Sequence, residues 1–104
     1  MVEISFPEPS GAILRLKVTG HAGAGLRGSD PVCAVVSGLL QTFLGGAEKE
    51  MDVLVHGELT EGLCDVTVRA PRGKTEAFRT VVKVFRYGFS RLAATYPERI
   101  HLVC

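Results

Sequence analysis

Apolar positions recur along this chain with two periods. Val2, Ile4 and Phe6 alternate with Glu3 and Ser5, and Leu14, Leu16 and Val18 alternate with Arg15, Lys17 and Thr19. A period of two puts each parity on its own face of a strand, and Pro7-Glu8-Pro9-Ser10-Gly11 supplies turn residues between the runs, so a β-hairpin is predicted. From Pro31 the spacing becomes helical, through Val32, Val35, Val36, Leu39, Leu40 and Phe43, with Gly45-Gly46 read as the stop. A short apolar run from Asp52 to His56, a turn-like stretch from Gly57 to Gly62, and the alternating Cys64, Val66, Val68 and Ala70 predict a second hairpin. A longer helix follows Pro71-Arg72-Gly73, with Phe78, Val81, Val82, Phe85, Phe89, Leu92, Ala93 and Tyr96 on one stripe until Pro97 ends it. Ile100, Leu102 and Cys104 alternate with His101 in a terminal strand that needs a partner to be stable.

The predicted order is ββαββαβ. The polar parity of three strands carries Arg15, Lys17, Thr19, Asp65, Thr67, Arg69 and His101, so one sheet face is solvated and both helices belong on the other. The expected class is α+β: a single layer of mainly antiparallel sheet with two helices packed on one face. At 104 residues the chain, 1–104, is expected to be a single domain. A formal net charge of +1 leaves no electrostatic footprint for nucleic acid or an anionic membrane, and partners of those kinds are not expected. No basic leader precedes an apolar stretch, no run approaches the roughly 18 apolar residues of a membrane span, and a cytoplasmic location is expected. Three cysteines, at 33, 64 and 104, are an odd number without paired spacing, which argues against a disulfide framework and a CxxC zinc site.

Candidate chemistry concentrates where the first hairpin meets the first helix. Gly20-His21-Ala22 puts an imidazole at the end of one apolar run, and Asp30-Pro31-Val32-Cys33 puts a thiol at the start of the next. Asp30 is a preferred N-cap residue and Pro31 suits a first helical position, so Cys33 falls among N–H groups without intrahelical partners. Helix N-termini and a neighbouring imidazolium favour thiolates, which makes His21 and Cys33 a candidate catalytic dyad. Asp30 reads as a helix cap before it reads as an orienting partner for His21. Ser37, one turn after Cys33 on the same face, either supports the thiol or simply packs. Cys64, Cys104, His56 and His101 read as packing or surface residues. Gly23-Ala24-Gly25-Leu26-Arg27-Gly28 matches G-x-G-x-x-G, but the helix start signals follow the last glycine and the next strand belongs to a hairpin, unlike a dinucleotide site. Gly73-Lys74-Thr75 is not a P-loop, because Val68 stands where the opening glycine is needed. Gly23, Gly25 and Gly28 therefore belong to a surface loop that could also serve as a lid. Zinc on His21 and Cys33 would need two further ligands that no metal-type spacing provides, so neither metal nor cofactor is expected.

The run Gly20-His21-Ala22, a glycine-rich loop, then Asp30-Pro31-Val32-Cys33-Ala34-Val35-Val36-Ser37 resembles the ribosomal-processing cysteine protease Prp family. That family pairs a Gly-His-Ala element and a flexible loop with an Asp-x-Val-Cys-Ala-x-x-Ser helix start, and its element order and length also agree. Pro31 departs from the aliphatic residue common there. The resemblance implies a homodimeric cysteine endopeptidase that removes the N-terminal extension of bacterial large-subunit ribosomal protein twenty-seven, beside a short aromatic-containing apolar motif, during ribosome maturation. It implies Cys33 as nucleophile and His21 as its base, with the loop between them admitting and covering the substrate tail. Backbone N–H groups of the first helical turn are the expected oxyanion donors. The competing reading is a non-catalytic dimeric, ribosome-associated module that holds an extended peptide tail without cutting it.

Overall fold

A computed structural model describes residues 1–25 and 29–103. Strands β1 (Val2–Ser5) and β2 (Ile13–Gly20) are followed by helix α1 (Pro31–Met51), strands β3 (Leu54–Thr60) and β4 (Leu63–Arg69), helix α2 (Thr75–Thr95) and strand β5 (Ile100–Leu102). The five strands form one sheet in the order β3-β4-β2-β1-β5, antiparallel except for the β1–β5 pair. The α+β class and the order ββαββαβ hold.

Register explains how the alternating sequences fold. Leu14, Leu16 and Val18 of β2 lie opposite Val68, Val66 and Cys64 of β4, and Ile4 of β1 lies opposite Val18. All of these are buried, while Arg15, Lys17 and Arg69 on the other parity are exposed. Residues directly opposite in a sheet share a face, so one parity builds the core and the other stays wet. Helix α1 closes the core with Val32, Val36, Leu40, Phe43, Leu44 and Ala47, and α2 does so with Phe78, Val82 and Phe89. Phe6, just beyond β1, sits 5.2 Å from both Phe43 and Phe89, ring centre to ring centre, and so joins the sheet to both helices.

Three expectations need correction. Helix α1 does not stop at Gly45-Gly46 but runs on to Met51, where Asp52 takes a left-handed φ of 55° and its N–H donates to Ala47 O. A helical glycine costs roughly 0.5–1 kcal/mol relative to alanine, whereas beyond the two glycines Ala47 is buried and Met51 packs against the core, each buried methylene-sized group contributing about 0.8 kcal/mol; tertiary packing wins. Strand β3 spans Leu54–Thr60, not Asp52–His56, and Gly57 to Thr60 belong to the strand, with only residues 61 and 62 left for the turn. Its ladder on β4, from Leu54 opposite Arg69 to Thr60 opposite Leu63, sets the conformation that its own sequence does not. Finally, α1 does reach the length and mean hydropathy, 1.2, of a membrane span. Its buried stripe packs against the sheet and α2, which is the arrangement of a core helix. Cys104 lies outside the described residues.

Candidate active site

The start of α1 is built by Asp30. One carboxylate oxygen accepts from the N–H groups of Val32 and Cys33, at 2.9 and 3.1 Å, and the other accepts from Ala24 N–H at 2.8 Å. Asp30 thus caps the helix, as the sequence predicts, and also ties the loop after β2 to it. Burial works to raise this carboxyl, but the N–H groups of Cys33, Ala24 and Val32 and the Cys33 thiol outweigh it and hold the group below the usual carboxylate value. Its bonds run to the helix and the loop, the role of a cap.

Cys33 is half-buried in the first turn, and its Sγ accepts from the Ala22 N–H at 3.3 Å. A donor on the sulfur is where a nucleophilic thiol needs one. The preceding carbonyl, His21 O, accepts from the N-terminal ammonium at 2.6 Å, so the His21–Ala22 peptide plane is held at both ends. The Gly23–Ala24 plane is held in the same way, its carbonyl by Arg99 Nη1 and its N–H by Asp30. Arg99 Nη1 also donates to Ala22 O at 3.4 Å. The expected oxyanion donors of the first helical turn are committed elsewhere: Val32 and Cys33 N–H donate to the Asp30 side chain, and Ala34 N–H donates to Asp30 O. That expectation is corrected.

His21 and Cys33 line one groove of about 860 Å³, which runs between α1 and the β3–β4 hairpin. Its α1 wall carries Val36, Leu40 and Leu44, and Leu59 stands on the opposite wall, 60% exposed. The His21 ring lies beside Gly62 in the hairpin turn. Gly23, Gly25, Asp30 and Ser37 line the same groove, which brings these candidates together. The Ser37 hydroxyl accepts from Gln41 Nε2 at 3.0 Å, and Gly28 lies outside the described residues. Cys64 is buried beneath the groove; burial and, secondarily, the neighbouring Asp65 carboxylate push its thiol from 9.0 up to about 11. It is an inert thiol beside an accessible one.

The sequence profile of the family described as cysteine protease Prp matches residues 1–101. The chain belongs to the cysteine protease Prp family. At the level of that family it is a cysteine peptidase. Among solved structures, the fold is similar to the essential ribosomal processing protease Prp from S. aureus with a covalently linked product peptide. The TM-score is 0.79, with 17% identity over 98% of this chain and 97% of that one. The same S. aureus protein with a substrate peptide gives a TM-score of 0.74 at 16% identity, with 98% and 97% of the two chains covered. SMU.848 from Streptococcus mutans gives 0.72 at 28% identity, over 98% of this chain and 91% of that one. No curated protein sequence matches the chain.

Within this Prp-family fold, the sequence reading missed Arg99, Gly62 and the groove wall formed by Leu59. Arg99 acts on backbone carbonyls 76 and 77 residues away, which no local pattern encodes. Leu59 falls in the stretch from Gly57 to Gly62, whose composition predicts a turn. Its signal is an apolar residue opposite Cys64 on the helix-facing parity of the sheet, legible only once the register is known.

Proposed function

We propose that this chain is a cysteine endopeptidase acting through a dyad of Cys33 and His21. The Ala22 N–H held against Cys33 Sγ, in a groove that His21 shares, carries the reading. His21 takes the thiol proton as Sγ bonds to the scissile carbonyl carbon. The tetrahedral intermediate then collapses, the C–N bond breaks, and His21 returns the proton to the leaving amine. Water attacks the thioester with His21 as base, and the acid product leaves with the thiol restored. As attack converts the sulfur to a thioether and weakens it as an acceptor, the Ala22 N–H becomes available to the new oxyanion beside it.

The substrate in this reading is the N-terminal extension of bacterial large-subunit ribosomal protein twenty-seven, removed during ribosome maturation by a cytoplasmic homodimer without a cofactor. Val36, Leu40, Leu44 and the exposed Leu59 suit a short apolar, aromatic-containing tail, and the peptide-bound S. aureus ribosomal processing protease shares the fold. The test is incubation with the host's ribosomal protein twenty-seven, followed by intact-mass analysis. One defined cut is expected, abolished in Cys33→Ala, reduced by about 10²-fold or more in His21→Ala, and retained in Cys64→Ala. Cleavage by Cys33→Ala overturns the nucleophile; a tail that is bound but left whole by the native protein means a binding module.

A further inference from the structure

We propose that Gly62 is a positioning residue for His21, keeping the imidazole's Nε2 end clear for proton transfer; this rests on the dyad reading above. The β3–β4 turn consists of residues 61 and 62, and Gly62 has φ +77°, which by itself explains a glycine there. The geometry asks for more than a turn residue. A Cβ at position 62 would lie 3.0 Å from His21 Nε2 and 3.2 Å from Cε1. Those distances are tighter than ordinary van der Waals contact, so a methyl would press on the tip of the ring.

The main chain leaves the ring as the part that yields. Gly62 O accepts from Gly20 N–H at 3.1 Å, extending the β2–β4 ladder to the residue before His21, and His21 O is held by the N-terminal ammonium. The backbone on both sides of the His21 side chain is therefore pinned. A side chain at 62 displaces the imidazole while the fold remains, and displacement of a catalytic base by a fraction of an ångström is costly to rate because the reacting atoms must meet in one geometry.

Turn chemistry and imidazole seating can be separated. Asparagine tolerates a positive φ but carries a Cβ, so Gly62→Asn preserves the turn and fills the space. Gly73 has φ +87° with nothing within 4 Å of its Cβ position, so Gly73→Ala imposes comparable backbone strain away from the site. The experiment compares Gly62→Asn, Gly62→Ala and Gly73→Ala by proton–carbon NMR of the histidine Cε1–Hε1 signals, with His21→Ala supplying the assignment. It also measures kcat and KM for a synthetic peptide carrying the ribosomal extension. Both Gly62 variants are expected to move the His21 signal while those of His56 and His101 stay, and to lower kcat about tenfold with KM within about twofold. Gly73→Ala is expected to do neither. An unmoved His21 signal and near-native kcat in Gly62→Asn overturn the proposal and leave Gly62 a turn residue, as does an equal loss in Gly73→Ala. The NMR arm stands even if the native protein leaves the peptide whole, the result that defeats the peptidase reading instead.

Discussion

Replacing Gly57 with alanine tests how the outer wall of the groove is built. Gly57 lies within β3 at φ +135°, and a Cβ there would fall 2.1 Å from Asp65 O and 2.9 Å from Val66 Cα, both backbone atoms of β4. No rotamer relieves such a clash, so β3 must move. Backbone strain in this region of φ costs of order 1–3 kcal/mol, and displacing the ladder adds to it; a total loss of about 3 kcal/mol is expected. For a domain of this size that corresponds to a fall in Tm of roughly 12–24 °C. If the strand detaches locally instead, the amides of β3 and the β4 amides that donate to it lose hydrogen-exchange protection, while the amides of β2 and the β4 amides that face β2 keep theirs. Because Leu59 and Thr60 line the groove from the same strand, KM for an apolar tail should rise in either case. A Tm within about 2 °C of native together with full protection of β3 would refute the reasoning.

Four further outcomes follow from the same geometry. Gly46→Ala should act in the opposite direction, raising stability by about 0.5–1 kcal/mol, because Gly46 is exposed within α1 and its Cβ would meet nothing within 4 Å; thermal denaturation checks the sign. Cys64, with its thiol raised from 9.0 to about 11, should react with iodoacetamide at pH 8 about 100-fold more slowly in the native protein than in denaturant, on thiolate fraction alone. In the same window the unfolded chain loses this proton first, so the contribution of Cys64 to stability is present below pH 9 and is lost as pH rises toward 11, measurable by urea denaturation. Arg99→Ala should release the Ala22 and Gly23 carbonyls at a cost of about 1.5 kcal/mol, seen as roughly tenfold faster exchange of the Ala22 and Ala24 amides; unchanged exchange would dismiss the clamp.

What could be read from the sequence depended on how local the cause was. β2 and β4 declared themselves because one face of each is buried and the other wet, which writes the pleat into the sequence. The start of α1 was equally legible, since a cap acts within three residues of itself. Its end was not: the apolar side of α1 beyond Phe43 is paid for by contacts with other elements, and these override two glycines. β3 is an edge strand with a mostly exposed pattern, and it becomes a strand through β4. The same division runs through the site. His21 and Cys33 stand out as reactive residue types near each other in sequence, whereas Gly62 and Arg99 matter through a missing side chain and a grip on backbone, and residue type alone reveals neither.

The order in which the chain is made gives the Arg99 clamp a meaning in time. His21 and Cys33 leave the ribosome early, but the guanidinium that holds their loop follows Ala22 by 77 residues. Until α2 and the turn before β5 have been synthesised and docked, the thiol and imidazole exist without the framework that orders them. A nascent chain thus carries the thiol and the imidazole of the candidate site before the loop between them is held, and the grip on the Ala22 and Gly23 carbonyls comes only once Arg99 has docked.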